Sequence, residues 1–114
     1  MRKIERLNEQ LKAELASLIV KEAPLPNGLI TVSFVDCSTD LKHAKIGISV
    51  LPEKYWPSVL KKMNRLSGHF SRILRSKLSI RQIPKFNWLL DTTESQAAKI
   101  EEIIKKIKEE EEKV

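Results

Sequence analysis

Residues 64–75 read NRLSGHFSRILR, and the reading of this stretch decides the fold. It settles whether the middle of the chain is a helix, two helices or a loop. From Ser58 the apolar residues Leu60, Met63, Phe70, Ile73, Leu74 and Leu78 recur every three or four positions, the spacing of a helix with one apolar side. Pro57 suits the first turn, where its missing N–H costs nothing. Gly68 sits in the middle, at a cost of about 1 kcal/mol relative to alanine. The stretch therefore predicts a helix to about Ser79 that is broken or kinked near Gly68.

The neighbouring segments follow from period and punctuation. Ile4, Leu7, Leu11, Leu15, Leu18 and Ile19 predict an amphipathic helix over residues 3–22, stopped by the breakers of PLPNG at 24–28. LITVSFVDC, residues 29–37, is β-branched and aromatic and predicts a strand. STDLKH is a connector. Ala44, Ile46, Ile48 and Val50 alternate with Lys45, Gly47 and Ser49, which predicts a half-buried strand forming an antiparallel hairpin with the first. FNWLLD after Pro84 predicts a third strand, with Phe86, Trp88 and Leu90 on one face. A last helix starts after the Thr92-Thr93-Glu94 region with Ile100, Ile103, Ile104 and Ile107 on its apolar side, and packing on the chain's own sheet accounts for that stripe. The order is αββαβα: an α+β fold with helices on one face of a three-stranded sheet. Residues 1–95 read as the domain core, and 96–114 as a C-terminal helix and charged tail of the same domain.

Charge carries the functional signal. The chain of 114 residues has a net charge of +6. Residues 1–95 hold sixteen Lys and Arg against nine Asp and Glu, whereas 96–114 hold five against six. Between Glu53 and Asp91 there is no acidic residue, yet nine cations stand there. Solvated surfaces usually mix signs; a one-signed run makes a field suited to nucleic acid or an anionic surface. On the central helix Lys61, Arg65, Arg72 and Arg75 fall on one side, offset from the apolar positions, as in a helix that tracks phosphates.

Other classes fare poorly. No run of about 20 apolar residues exists, and MRKIERLNEQ lacks the apolar stretch of a signal peptide. One cysteine, Cys37, excludes an internal disulfide and a cysteine-built zinc site. These features fit the cytoplasm. Ser67 and His69 are two residues apart, but no acid and no G-x-S-x-G elbow accompany them. Asp36 and Asp40 are explained by turn chemistry beside Ser38 and Thr39. Phe70 and Trp88 belong to the core; Tyr55 and Trp56 stand between core and base-stacking roles. No phosphate loop, dinucleotide fingerprint or metal-ligand spacing is present, so no cofactor, metal or small-molecule substrate is expected. The basic helix cannot also enter lipid, because the core needs its apolar side.

The run Thr39-Asp40-Leu41-Lys42-His43-Ala44-Lys45-Ile46 resembles the ribosome-binding factor A family. So does the framework Gly68, Arg81, Pro84 and Asp91, as G-x₁₂-R-x₂-P-x₆-D, with Arg2 and Arg6 ahead of the first helix. The likeness covers residues 2 to about 107. It implies a KH-type, type II-like αββαβ domain in which a helix-kink-helix with an Ala-x-Gly motif replaces the G-x-x-G loop. Here that motif reads Leu66-Ser67-Gly68. Ser71 stands where an arginine is expected, with Arg72 next to it, and Ala97 where glycine is frequent. The family implies binding to the 30S small ribosomal subunit late in maturation, action on 16S rRNA near the decoding region, support of growth in the cold, and no enzymatic activity. A monomer is expected. The residues expected to contact RNA are Lys61, Lys62, Arg65, Ser67, Gly68, Arg72, Arg75, Lys77, Arg81 and Lys85. The competing reading is a protein-interaction or dimerisation adaptor acting through the last helix.

Overall fold

The computed structural model describes Lys3–Glu112, with the backbone alone over 94–99 and at 112; Arg2 lies outside the described residues. The elements are α1 (Lys3–Glu22), β1 (Leu29–Cys37), β2 (His43–Leu51), a 3₁₀ turn at Glu53–Tyr55, α2 (Trp56–Lys77), β3 (Lys85–Leu90) and α3 (Thr93–Glu112). The sheet order is β1-β2-β3. β1 and β2 pair antiparallel, and β2 and β3 pair parallel. Parallel neighbours need a crossover, and α2 provides it. That is why the reading of residues 64–75 carries so much of the fold.

One face of the sheet is apolar. Val32, Val35 and Cys37 from β1, Ala44, Ile46, Ile48 and Val50 from β2, and Phe86 and Trp88 from β3 are buried there. α1 covers them with Leu7, Leu11, Leu15, Leu18 and Ile19, and α2 with Val59, Met63, Phe70 and Leu74. The Phe70 and Trp88 rings meet edge-on at 6.3 Å, and Phe86 and Trp88 at 5.7 Å, the arrangement that aligns ring edge with ring face. Two side-chain contacts fix the run of α1 along α2: the Glu14–Lys77 ion pair at 3.2 Å and the approach of His69 Nε2 to Glu22 at 3.8 Å. They make the two helices antiparallel, so the first turn of α1 lies beyond the last turn of α2.

Two expectations are corrected. The break expected at Gly68 is absent: α2 runs through it as one helix, and no glycine has positive φ. The buried Met63, Phe70 and Leu74 on either side hold the helix against the sheet, which outweighs the local preference of one glycine. The isoleucine stripe of α3 does not pack on the sheet. Ile100, Ile103, Ile104 and Ile107 are about half exposed, because α1 and α2 already fill the apolar face. Asp91 fastens the start of α3. Its backbone N–H donates to Ile48 O at 2.7 Å. Its carboxylate accepts from the Thr93 hydroxyl at 2.6 Å and the Thr93 N–H at 3.0 Å. With the Ser33 hydroxyl as a third donor, these bonds hold its pKa below the ordinary carboxylate value.

Candidate nucleic-acid interface

Position along α2 decides which cations act together. At 100° per residue, Lys61, Arg65, Gly68, Arg72 and Arg75 fall within an arc of about 80°, opposite Val59, Met63, Phe70 and Leu74. Lys61, Arg65, Arg72 and Arg75 are exposed and, among the described residues, enter no ion pair. The stripe runs for about 21 Å at 1.5 Å per residue. Gly68 lies in its middle, and a Cβ built there meets nothing within 4 Å. The glycine is therefore not a packing requirement. It leaves the helix backbone bare between two pairs of cations.

The remaining expected residues separate. Lys62 is half-buried about 100° from Lys61. Its neighbourhood is an open depression lined by Ser58, Lys61, Lys62 and Arg65. Arg81 is exposed on the connector after α2. Lys77 is turned toward α1 and engaged with Glu14. Ser67 faces inward: its hydroxyl donates to Met63 O at 2.8 Å and accepts from Trp88 Nε1 at 2.8 Å. Lys85 precedes the inward Phe86 and therefore projects from the other face of the sheet, beside His43 in the parallel register.

Ser67 and His69 diverge as well, since Ser67 bonds to the core tryptophan while His69 Nε2 faces Glu22. The Cys37 thiol is buried, and burial first and Asp36 second push its pKa up, so it stays protonated and unreactive. Tyr55 and Trp56 are half-buried against the core.

Sequence reasoning missed a groove at the other end of the stripe. Ile4 and Leu7 of α1, Leu41 of the β1–β2 connector and Ile80 line it, with Lys3, Arg6 and Gln10 at its edge. Leu41 has φ 60°, a left-handed conformation that a leucine adopts at a cost; nothing in the letters TDLKH announces it.

Fold and surface together define a class: a small α+β protein whose crossover helix turns its apolar side to the sheet and an unpaired cationic stripe to solvent. The ribosome-binding factor A family matches residues 3–104. The ribosome-binding factor A of Halothermothrix orenii is 33% identical over 109 residues, covering 94% of this chain and 89% of its own. That of Thermodesulfovibrio yellowstonii is 33% identical over 114 residues, covering 99% and 97%. The crystal structure of ribosome-binding factor A from Thermus thermophilus superposes with TM-score 0.68 at 25% identity, over 76% of this chain and 93% of that one. A homology model of that Thermus thermophilus protein, fitted into a cryo-EM map of its complex with the 30S subunit, gives TM-score 0.65. The chain belongs to the ribosome-binding factor A family.

Proposed function

We propose that this chain binds the 30S ribosomal subunit during late maturation and holds 16S rRNA by its phosphates, in the cytoplasm and as a monomer, with its largest effect in the cold. The carrying observation is the unpaired stripe Lys61, Arg65, Arg72 and Arg75 on the outer side of α2. Cations fixed along a rigid helix read backbone shape rather than base sequence. At Gly68 a phosphate or ribose can approach the helix backbone without meeting a side chain. Lys62 and Arg81 extend the surface at its two ends. Ser67, Lys77 and Lys85 take no part, since one bonds to Trp88, one to Glu14 and one stands on the far face of the sheet. The work is binding, not catalysis: the chain occupies immature RNA until the subunit is complete. The 30S complex of the Thermus thermophilus relative supports this reading.

The test is co-sedimentation with purified 30S subunits across a salt series. Each phosphate contact adds about 0.7–0.9 to the slope of log affinity against log salt. An R65A/R72A/R75A variant should therefore bind more weakly and lose about 2–3 from that slope. Unchanged slope and affinity in this variant would sink the proposal, as would equal binding to 30S subunits and to whole ribosomes.

One observation favours a second reading. The exposed isoleucines of α3 suit an adaptor that docks or dimerises through this helix. Sedimentation velocity of the isolated chain separates the two: a stable dimer supports the adaptor, a monomer the RNA-binding reading.

A further inference from the structure

The groove beyond the C-terminal end of α2 combines features that neither folding nor phosphate binding explains. It has a volume of about 220 Å³, and its walls are Ile4, Leu7, Leu41 and Ile80. Lys3 and Arg6 stand at its edge with the Gln10 amide, and among the described residues no carboxylate lines it.

Leu41 is the residue that most needs an account. At φ 60° glycine or asparagine fits the backbone better. The connector nevertheless holds the leucine firmly. Leu41 N–H donates to Ser38 O at 2.9 Å and Ser38 N–H to His43 O at 2.8 Å. Asp40 Oδ1 accepts from the Ser38 hydroxyl at 2.6 Å and from Lys42 N–H at 3.0 Å. These bonds also hold the Asp40 carboxyl below its ordinary pKa, the Ser38 hydroxyl contributing most. Backbone strain that the surroundings over-determine gathers at functional positions. The side chain so displayed remains 36% exposed, so it does not complete the core.

The groove continues the cationic stripe. α1 is antiparallel to α2, as the Glu14–Lys77 and Glu22–His69 pairs require. A strand running along α2 past Arg72 and Arg75 therefore reaches Arg81, next to Ile80, and then the mouth of the groove. We propose that the groove takes one unpaired nucleobase of the RNA whose phosphates follow α2. The base slides between Leu41 and Ile80 over Ile4 and Leu7. Lys3 and Arg6 neutralise the flanking phosphates, and the Gln10 amide can donate to and accept from the base edge. A dry apolar cavity of about 150 Å³ holds a benzene-sized ring, so the volume suits one heterocycle. The inference rests on the RNA-binding reading above.

The experiment measures fluorescence anisotropy of the full chain with a labelled single-stranded RNA and with a fully paired RNA duplex carrying the same number of phosphates. Leu41→Asn keeps the left-handed backbone, so its melting temperature should hold or rise, and Ile80→Ala serves as a second variant. Stacking of one base is worth about 1–3 kcal/mol. Leu41→Asn should therefore weaken single-strand binding about tenfold, with an unchanged salt slope and unchanged duplex binding. Ile80→Ala should act in the same direction. If both variants bind single-stranded RNA like the parent while R65A/R72A/R75A binds poorly, the groove serves something else, such as an acidic peptide with apolar side chains. In that case the base pocket is overturned and RNA binding through α2 stands. Equal weakening for single strand and duplex also overturns it. If R65A/R72A/R75A binds both RNAs like the parent, the RNA-binding reading fails first.

Discussion

α2 and α3 carry the same kind of pattern and meet different fates. Each has an apolar stripe at helical spacing and a dense set of charges. In α2 the stripe of Val59, Met63, Phe70 and Leu74 is buried under the sheet, and cations face outward. In α3 Ile100, Ile103, Ile104 and Ile107 remain open to solvent. The difference lies in connectivity. α2 must cross the sheet to bring β3 parallel to β2, so its apolar side lands on the strands. α3 leaves from the Asp91 anchor after that face is full. Amphipathicity thus reports that a helix has two sides, and only the chain's path decides what the apolar side meets.

Substitutions can break this contrast or sharpen it. The largest effect should come from Phe70→Ala, which empties a fully buried site between α2 and Trp88. It should cost about 3–5 kcal/mol in urea denaturation. Ser67→Ala should cost about 1–3 kcal/mol in the same measurement, because it leaves Trp88 Nε1–H unpaired in a mostly buried position. Gly68→Ala should raise stability by about 0.5–1 kcal/mol in thermal melts, since the added methyl meets open space in a continuous helix. A loss of stability there would instead mean that the helix depends on bending at this point. The smallest effect is expected from Ile103→Ala in α3, within about 0.5 kcal/mol by urea denaturation. A cost near that of Phe70→Ala would show that α3 finds cover in solution and would erase the contrast.

Acid should expose the anchor between the two regions. The folded pKa of Asp91 lies below its ordinary value, so its bonds to Thr93 and Ser33 stabilise the fold above about pH 4. That contribution fades as pH falls through the depressed folded value. Asp91 lies half-buried at the surface, where solvent screens it, so the effect is small. It should appear as a shallower loss of melting temperature in Asp91→Asn than in the parent when both are scanned below pH 4.

Much of the architecture was legible because burial imprints a period on sequence. The leucines of α1, the alternation of Ala44, Ile46, Ile48 and Val50, and the Phe86, Trp88 pair all mark one face, and each faces the same core. The site was legible only along a single helix. Lys61, Arg65, Arg72 and Arg75 share a side by their spacing alone. Lys77 and Lys85 sit in the same acid-free run yet leave the stripe, one for Glu14 on α1 and one for the opposite face of the sheet. Ser67 lies among the basic residues in the sequence, but its hydroxyl bridges Met63 O and Trp88, a partner 21 positions away.

The sequence by itself determined the elements, the hairpin and the cationic side of α2, because these depend on periods of two and 3.6 residues. Tertiary structure alone decided the rest: the parallel pairing of β3, the unbroken course of α2 through Gly68, the open stripe of α3, and the groove that gathers Ile4, Leu41 and Ile80. The physical reason is that local pattern states which side of an element avoids water. What lies across from that side depends on contacts between residues far apart in the chain, and no single segment records them.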